Sequence, residues 1–158
     1  MDRSIINIKN KKARRDYELL EKYVAGVRLF GTEIKSIRAG KASLNEAYCV
    51  LRPMQSDKDR IEVWVKMHIA EYVNGTHANH DPKRSRKLLL TAKEISKINR
   101  KMSTSSLALI PTRLFINDKG LAKIEIALAR GKKYHDKRQD IKQRDDKREM
   151  DRMKKMKL

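Results

Sequence analysis

Apolar and polar positions alternate in several short stretches of this chain, which is the pattern of half-buried β-strands. The first stretch, residues 23–29, carries an apolar side chain at every second position. Similar patterns or short apolar runs predict further strands at residues 44–52, 61–69, 88–90, 107–116 and 121–129. The run at 88–90, three leucines, is expected to be buried, so Leu89 is predicted to be mainly a core residue.

Two short helices are predicted between these strands. Thr32 is placed to cap the first helix, which should end at Gly40, where a left-handed residue is favoured. Thr91 and Glu94 have the spacing of a capping box and predict the start of the second helix.

The last two strands are predicted to form a hairpin. Residues 117–120 have the sequence NDKG, a turn with glycine where a positive φ is needed. Pro111 lacks an amide hydrogen and predicts an edge or a bulge in its strand. The order of elements has no strand-helix-strand rhythm, so the predicted fold is mainly β with short helices: an OB-like, partly open antiparallel β-barrel.

The pattern ends at Arg130. Residues 130–158 hold thirteen Lys or Arg against six Asp or Glu, a net charge of +7. Their large apolar residues do not form the stripe that a docked helix needs. These residues are Ile141, Met150, Met153 and Met156. This basic C-terminal tail is therefore expected to be disordered in the free protein until a polyanionic partner orders it.

The rest of the chain is basic as well. Of the total net charge of +19, residues 1–129 carry +12, which favours nucleic acid or an anionic surface as partner. No apolar run approaches the length of a membrane span, and the first residues lack the apolar core of a signal peptide. A cytoplasmic protein that does not bind membranes is expected. With few aromatic residues, structured RNA is a better ligand than a long single strand.

An enzyme or a metal protein is the weaker hypothesis. Cys49 is the single cysteine, and a small buried strand residue is the interpretation that we favour for it. His77, His80 and Asp81, with Glu71 nearby, could be drawn as a metal site, but turn residues around them predict a loop. No phosphate-binding glycine loop or nucleophile motif is present, and we expect no catalytic residues, no cofactor and no metal.

Four segments of the chain resemble one protein family, in the same order and with the same spacing. The chain is similar to the SsrA-binding proteins, also called small protein B. The segments are residues 10–14 (NKKAR), 31–42 (GTEIKSIRAGKA), 86–90 (RKLLL) and 129–138 (ARGKKYHDKR).

The resemblance implies an OB-like barrel that binds the tRNA-like domain of transfer-messenger RNA. It further implies that the RNA is delivered, with elongation factor Tu and GTP, to ribosomes that have stalled without a codon in the A site. Translation would then switch to a tag-encoding reading frame. The tail would be disordered in the free protein and helical in the empty mRNA channel of the small subunit.

The resemblance and the basic clusters together imply two sets of binding residues. The set expected against transfer-messenger RNA is Asn10, Lys11, Lys12, Arg14, Glu33, Lys35, Ser36, Arg38, Lys41, Arg86, Lys87, Leu89 and Lys123. The set expected at the decoding centre and in the mRNA channel is Gly131, Lys132, Lys133, His135, Asp136, Lys137, Arg138, Lys142, Arg144, Lys147 and Arg148.

Alternatives remain open for some of these residues. Each single Lys or Arg could be an ordinary solvated charge. Glu33 could accept hydrogen bonds from RNA or could orient a neighbouring cation. Val24 occupies a position where many members of the family carry a carboxylate, so any RNA contact of that acid does not transfer to this chain.

The expected organisation has three parts: an N-terminal arm at residues 1–9, the RNA-binding barrel at 10–130 and the basic tail at 131–158. The alternative function is that of a general basic RNA-binding or ribosomal protein, which would bind unrelated RNAs about as well.

Overall fold

The computed structural model describes residues 5–132 and 134–156, without the side chains of residues 134–137. The described elements follow one another along the chain as four helices among seven strands. They are β1 (Asn7–Lys9), α1 (Lys11–Asp16), β2 (Tyr17–Val27), α2 (Gly31–Arg38), β3 (Ala42–Pro53), β4 (Ile61–Ile69), β5 (Ser85–Leu89), α3 (Ala92–Thr104), β6 (Ala108–Ile116), β7 (Ala122–Gly131) and α4 (Tyr134–Met156).

The strands form one antiparallel sheet in the order β1-β6-β7-β2-β5-β4-β3. β3, at one end of this order, also packs against β6 near the other end, so the sheet curls into a nearly closed barrel. Curling in this way protects strand edges that would otherwise be exposed. The predicted OB-like antiparallel barrel is thereby confirmed.

The core fills the interior of this barrel. The inward positions of β4 and β7 supply Val63, Val65, Ile124 and Ile126, all fully buried, as the alternating pattern predicts. Ile37 of α2 and Ile98 of α3 join the same cluster, so both helices are held by burying one apolar face against the barrel. Each such side chain stabilises the fold by about 1.5–3 kcal/mol.

β2 is longer than its alternating pattern predicts. It begins at Tyr17 instead of Tyr23, and its pairing with β7 shifts register between Leu19 and Glu21. Leu20 is the extra residue at this bulge, and its side chain is exposed.

α1 is absent from the sequence prediction. Its start depends on a tertiary contact: Asn10 Oδ1 accepts a hydrogen bond from the Ala13 amide (3.0 Å), while Asn10 Nδ2 donates to the Pro111 carbonyl (2.8 Å). The side chain thus caps α1 and ties it to β6.

The predicted start of α2 is wrong by two residues. The residue before the helix is Phe30, and Thr32 lies inside the first turn. The Thr32 hydroxyl is hydrogen-bonded to His80 Nδ1 (2.9 Å), so it serves a tertiary contact and not a cap. The predicted left-handed residue is confirmed, since Gly40 has φ +73°.

The hairpin between β6 and β7 forms as predicted. Gly120 has φ +80°, and Asn117 Oδ1 accepts hydrogen bonds from the Lys119 and Leu121 amides. β6 is bulged between Pro111 and Arg113, as one of the two alternatives for Pro111 predicts. β6 is not an edge strand, because β1 pairs with its other side. Residues 7–9 of the expected N-terminal arm form β1.

α4 is one continuous helix, and its described side chains are exposed except that of Asp140, which is half-buried. Its apolar residues are exposed, among them Met150 (61%) and Met156 (86%), so they do not dock on the barrel. The helix is joined to α1 at its base: the Lys132 amide donates to the Asp16 carbonyl (3.0 Å), and the Lys132 ammonium pairs with Asp140. Disorder of the tail in the free protein stays a prediction. Among the described residues, no helix is both long and apolar enough to span a bilayer.

Replacing Gly40 with alanine should destabilise the protein by about 1 kcal/mol, because a Cβ is strained at positive φ. Gly31→Ala is the matched control. Gly31 is the first residue of α2, it has no positive φ, and a Cβ built on it would meet no atom within 4 Å. This change should be neutral or stabilising by up to about 1 kcal/mol. Urea unfolding of both variants measures the difference, and equal losses would contradict this explanation of the turn.

Candidate RNA-binding surface

A buried cluster of charges connects α2 with β5. The carboxylate of Glu33 is fully buried and pairs with both Arg84 and Arg86. Arg86 is also fully buried, and its Nη1 donates to the Met67 carbonyl (2.7 Å). An unpaired charge in such a place would be strongly destabilising, so each member holds the others in position.

The environment of Glu33 keeps it ionised. Burial raises the pKa of its carboxyl, but the Phe30 amide and the two guanidinium groups lower that pKa by more, and the net shift is downward. Of the two roles left open for Glu33, the structure places it in the second, which is to orient neighbouring cations.

Three other residues of the predicted RNA-binding set are also buried, contrary to their expected contact with RNA. Asn10 (3% exposed) is the cap of α1, and Ser36 (1%) lies on the inner face of α2. Arg86 is enclosed by its ion pair and by backbone carbonyls. These three side chains are therefore part of the protein interior and hold neighbouring elements in position.

An exposed patch lies on the outer side of β2, β5 and β7. Gly26 pairs with Leu89 of β5 and with Lys123 of β7. A Cβ added to Gly26 would lie 3.4 Å from the Leu89 Cβ and 3.6 Å from the Lys123 ammonium. Val24 is 54% exposed and Leu89 is 51% exposed. We call these four residues the Leu89 patch.

The prediction that Leu89 is mainly a core residue is therefore wrong. Its neighbours Leu88 and Leu90 pack in or against the core, and the alternation of a strand turns Leu89 outward. An exposed leucine beside a lysine offers both an apolar and a cationic contact.

Further basic side chains lie on α2 and in the turn after it, where the Lys35 ammonium is 5.4 Å from the centre of the Tyr72 ring. Lys35, Arg38 and Lys41 are exposed. Arg38 Nη2 donates to the Gly120 carbonyl (3.4 Å) in the turn before β7, so α2 lies beside the start of the strand that carries Lys123. Lys87 is half-buried and pairs with Glu62 (3.1 Å), which reduces its free charge.

The basic residues of α1 lie elsewhere. Lys11, Lys12 and Arg14 are exposed, but α1 precedes the first residue of β2, whereas the Leu89 patch adjoins its last residues. Eleven residues of strand separate the two ends by about 35 Å. The predicted RNA-binding residues therefore form two surfaces, and the one at α1 is next to the base of α4.

The residues predicted for the decoding centre and mRNA channel lie on α4 and at its base. Gly131 is exposed at the end of β7, and Lys132 is engaged with Asp140. Five of the predicted cations are exposed on α4: Arg138, Lys142, Arg144, Lys147 and Arg148. Lys133 lies outside the described residues, as do the side chains of His135, Asp136 and Lys137.

The hypothetical metal site does not form. His80 is buried, and its two ring nitrogens are engaged with Thr32 Oγ1 and the Ile69 carbonyl, each at 2.9 Å. In the described part of the chain, no three His, Cys, Asp or Glu side chains come together as metal ligands would. Cys49 is buried, which raises the pKa of its thiol and leaves it unreactive.

The sequence analysis missed one pair at the surface, formed by the exposed Phe30 and the half-buried Arg84. The guanidinium of Arg84 lies 4.1 Å from the centre of the Phe30 ring. Arg84 and Arg86 are two residues apart, and in extended chain this spacing puts both side chains on the same side. That spacing is the feature of the sequence from which a shared site could have been predicted.

A nearly closed barrel with basic surfaces at both ends and a basic helix is the architecture of a nucleic-acid-binding protein. The family model described as "SmpB protein" matches residues 7–156. The chain belongs to the SmpB family.

Known proteins agree with this assignment. A relative from Parabacteroides distasonis, named SsrA-binding protein, is 56% identical over 148 residues, which cover 93% of this chain and 92% of the relative. A relative of the same name from Saccharopolyspora erythraea is 49% identical over 144 residues, covering 90% and 86%. A solved chain from "tmRNA-SmpB: a journey to the center of the bacterial ribosome" is 39% identical, with a TM-score of 0.65 over 82% of this chain and 86% of that one.

Acidification should weaken the fold through Glu33. Its folded-state pKa lies below the ordinary value of about 4.3, so its stabilisation is complete above that pH and is lost as the pH falls through the folded-state pKa. The Glu33→Gln variant should be less stable than the wild type near pH 7, and this difference should shrink as the pH falls below about 4.

Denaturant unfolding at a series of pH values measures this difference. Glu71→Gln, which changes an exposed carboxylate, serves as the control and should leave stability unchanged. A difference between the wild type and Glu33→Gln that stays constant with pH would contradict the assigned role.

Proposed function

We propose that this protein binds the tRNA-like domain of transfer-messenger RNA and brings it to ribosomes that have stalled without an A-site codon. The observation that carries this proposal is the family match over residues 7–156, which includes both the barrel and the tail. The chemistry agrees with it, because the exposed side chains on both surfaces are mainly cationic.

The barrel would supply the contact with the tRNA-like domain. Lys123 lies beside the exposed Leu89, and Lys35, Arg38 and Lys41 are exposed on α2 and just after it. All four cations can bind phosphates, while Leu89 can cover a sugar or a base. Folded RNA is recognised mainly by shape and by phosphate and 2′-hydroxyl contacts, for which such a surface is suited. Lys11, Lys12 and Arg14 form the second part of the proposed interface.

The tail would act in the ribosome. α4 has 23 residues and a length of about 34 Å as a helix. Its cations are exposed, and from residue 141 to 156 every described residue is exposed, so this part of the helix can enter a channel walled by RNA phosphates. Messenger RNA in that channel would exclude it by volume and by charge, so the tail would report that the channel is empty.

Delivery would take place with elongation factor Tu and GTP, in the cytoplasm where ribosomes work. Translation would then resume on the tag-encoding frame of transfer-messenger RNA. The other function that the net charge of +19 favours is general RNA binding, which predicts equal affinity for unrelated structured RNAs.

Truncation after Gly131 should separate the two steps. Because the tail does not dock on the barrel, the shortened protein should bind the tRNA-like domain within a few-fold of the wild-type affinity but should fail to support peptide tagging on stalled ribosomes. Gel shifts and a reconstituted tagging assay measure the two steps. Equal loss of both activities would refute this division.

Binding should weaken steeply with salt, with a slope of roughly −0.7 to −0.9 in log K against log salt for each phosphate contacted. Lys123→Gln should lower affinity and reduce the magnitude of that slope by about one phosphate contact. Lys58→Gln, an exposed charge in the turn between β3 and β4, is the control and should change neither value. An unrelated structured RNA that binds equally well would favour the general RNA-binding function.

A further inference from the structure

Phe30 is an exposed aromatic ring in a chain that has only two phenylalanines. Its side chain is 56% exposed, and the Arg84 guanidinium is stacked at 4.1 Å from the ring centre. A ring that is covered on one side by a cation and still has this much exposure presents its remaining surface to solvent. Neither residue belongs to the RNA-binding set that the family resemblance implies.

The pair is held in place by the buried charge cluster. One carboxylate, that of Glu33, accepts a hydrogen bond from the Phe30 amide (2.9 Å) and also pairs with the Arg84 guanidinium. The same carboxylate is fixed from behind by the buried Arg86. The ring's backbone and the stacked cation are therefore positioned by a single group. A ring and a cation preorganised in this way lose little further freedom when a ligand binds.

Much of the Phe30 ring is accessible. Its exposed fraction is more than half, although Arg84 lies over one part of it. A planar ligand can contact this exposed part of the ring.

The pair also lies beside the proposed RNA surface. The Arg28 amide donates to the Lys87 carbonyl (3.0 Å), which continues the pairing of Gly26 with Leu89 toward Phe30 and Arg84. Four residues of extended chain place Phe30 about 13 Å beyond the Gly26–Leu89 contact. An RNA that covers the Leu89 patch can therefore also contact the Phe30 ring.

We propose that Phe30, backed by Arg84, is a stacking platform for one unpaired nucleobase of the RNA bound to this surface. Bases splayed out of loops stack on aromatic faces, and a cation behind the ring favours the nearby phosphate. The charges of Glu33, Arg84 and Arg86 sum to one excess positive charge, so the platform attracts an anionic ligand. This inference rests on the proposed function, because it assumes that the ligand is folded RNA with an exposed base.

Phe30→Leu tests the platform, because leucine keeps an apolar side chain but removes the aromatic face. Affinity for the isolated tRNA-like domain should fall by about 5- to 100-fold in fluorescence anisotropy. The salt slope should stay unchanged, because stacking releases no counterions. Phe30→Trp should bind at least as well as the wild type. Met150→Ala, a change of another exposed apolar side chain (61%) on α4, is the control and should have no effect, because the tail is not needed for binding to the isolated tRNA-like domain.

The result that overturns the platform is wild-type affinity in Phe30→Leu while Lys123→Gln still weakens binding. If instead the wild type does not prefer the tRNA-like domain over an unrelated structured RNA, the proposed function fails, and this inference fails with it. Thermal unfolding of Phe30→Leu verifies that the barrel is intact. Should that variant fail to fold, Phe30→Trp in a Trp64→Phe background carries a single tryptophan at the platform. Its emission should be quenched on RNA binding, and unchanged emission at saturation would overturn the platform.

Discussion

The surface of this protein depends on one buried ion cluster. Glu33 lies on the buried side of α2 without contact to solvent, and Arg86 of β5 pairs with it. Removing either partner would leave an uncompensated buried charge, which costs about 3–5 kcal/mol. The cluster explains why α2 stays fixed against β5, and it sets the positions of Phe30 and Arg84 at the surface. The sequence left two roles open for Glu33, and its burial against Arg84 and Arg86 favours the role of orienting the residues around it.

The barrel separates two basic surfaces that the sequence cannot distinguish. One adjoins the end of β2, where Lys123 lies beside Leu89, and the other adjoins its beginning, where α1 meets the base of α4. The second surface is coupled to the tail through Lys132, which contacts α1 and pairs with Asp140. The barrel and the tail can therefore bind RNA at the same time, at two sites that lie about one strand length apart.

Local patterns predicted a large part of the fold. The alternation at residues 61–69 matches β4 from end to end, and the NDKG turn forms with Gly120 at positive φ. The errors occur where a tertiary contact replaces a local one. α1 needs the Pro111 carbonyl to hold its cap, and Thr32, a good capping residue, binds His80 instead. Neither partner is close in sequence, so no local pattern could indicate them.

The amino-acid sequence alone establishes that the protein is strongly basic and that its last segment lacks an apolar face. Net charge is a sum over residues, and an apolar face follows from the spacing of apolar residues along a helix, so neither needs coordinates. Which cations reach a ligand was decided by the tertiary structure alone. Arg84 and Arg86 stand two positions apart with the same charge, yet Arg84 reaches the surface against Phe30 and Arg86 is fully buried. Likewise, Leu89 resembles its two neighbours in sequence and differs from them only because the strand turns it outward. Burial arises from the closure of the sheet around its core, and this closure joins residues that are far apart along the chain.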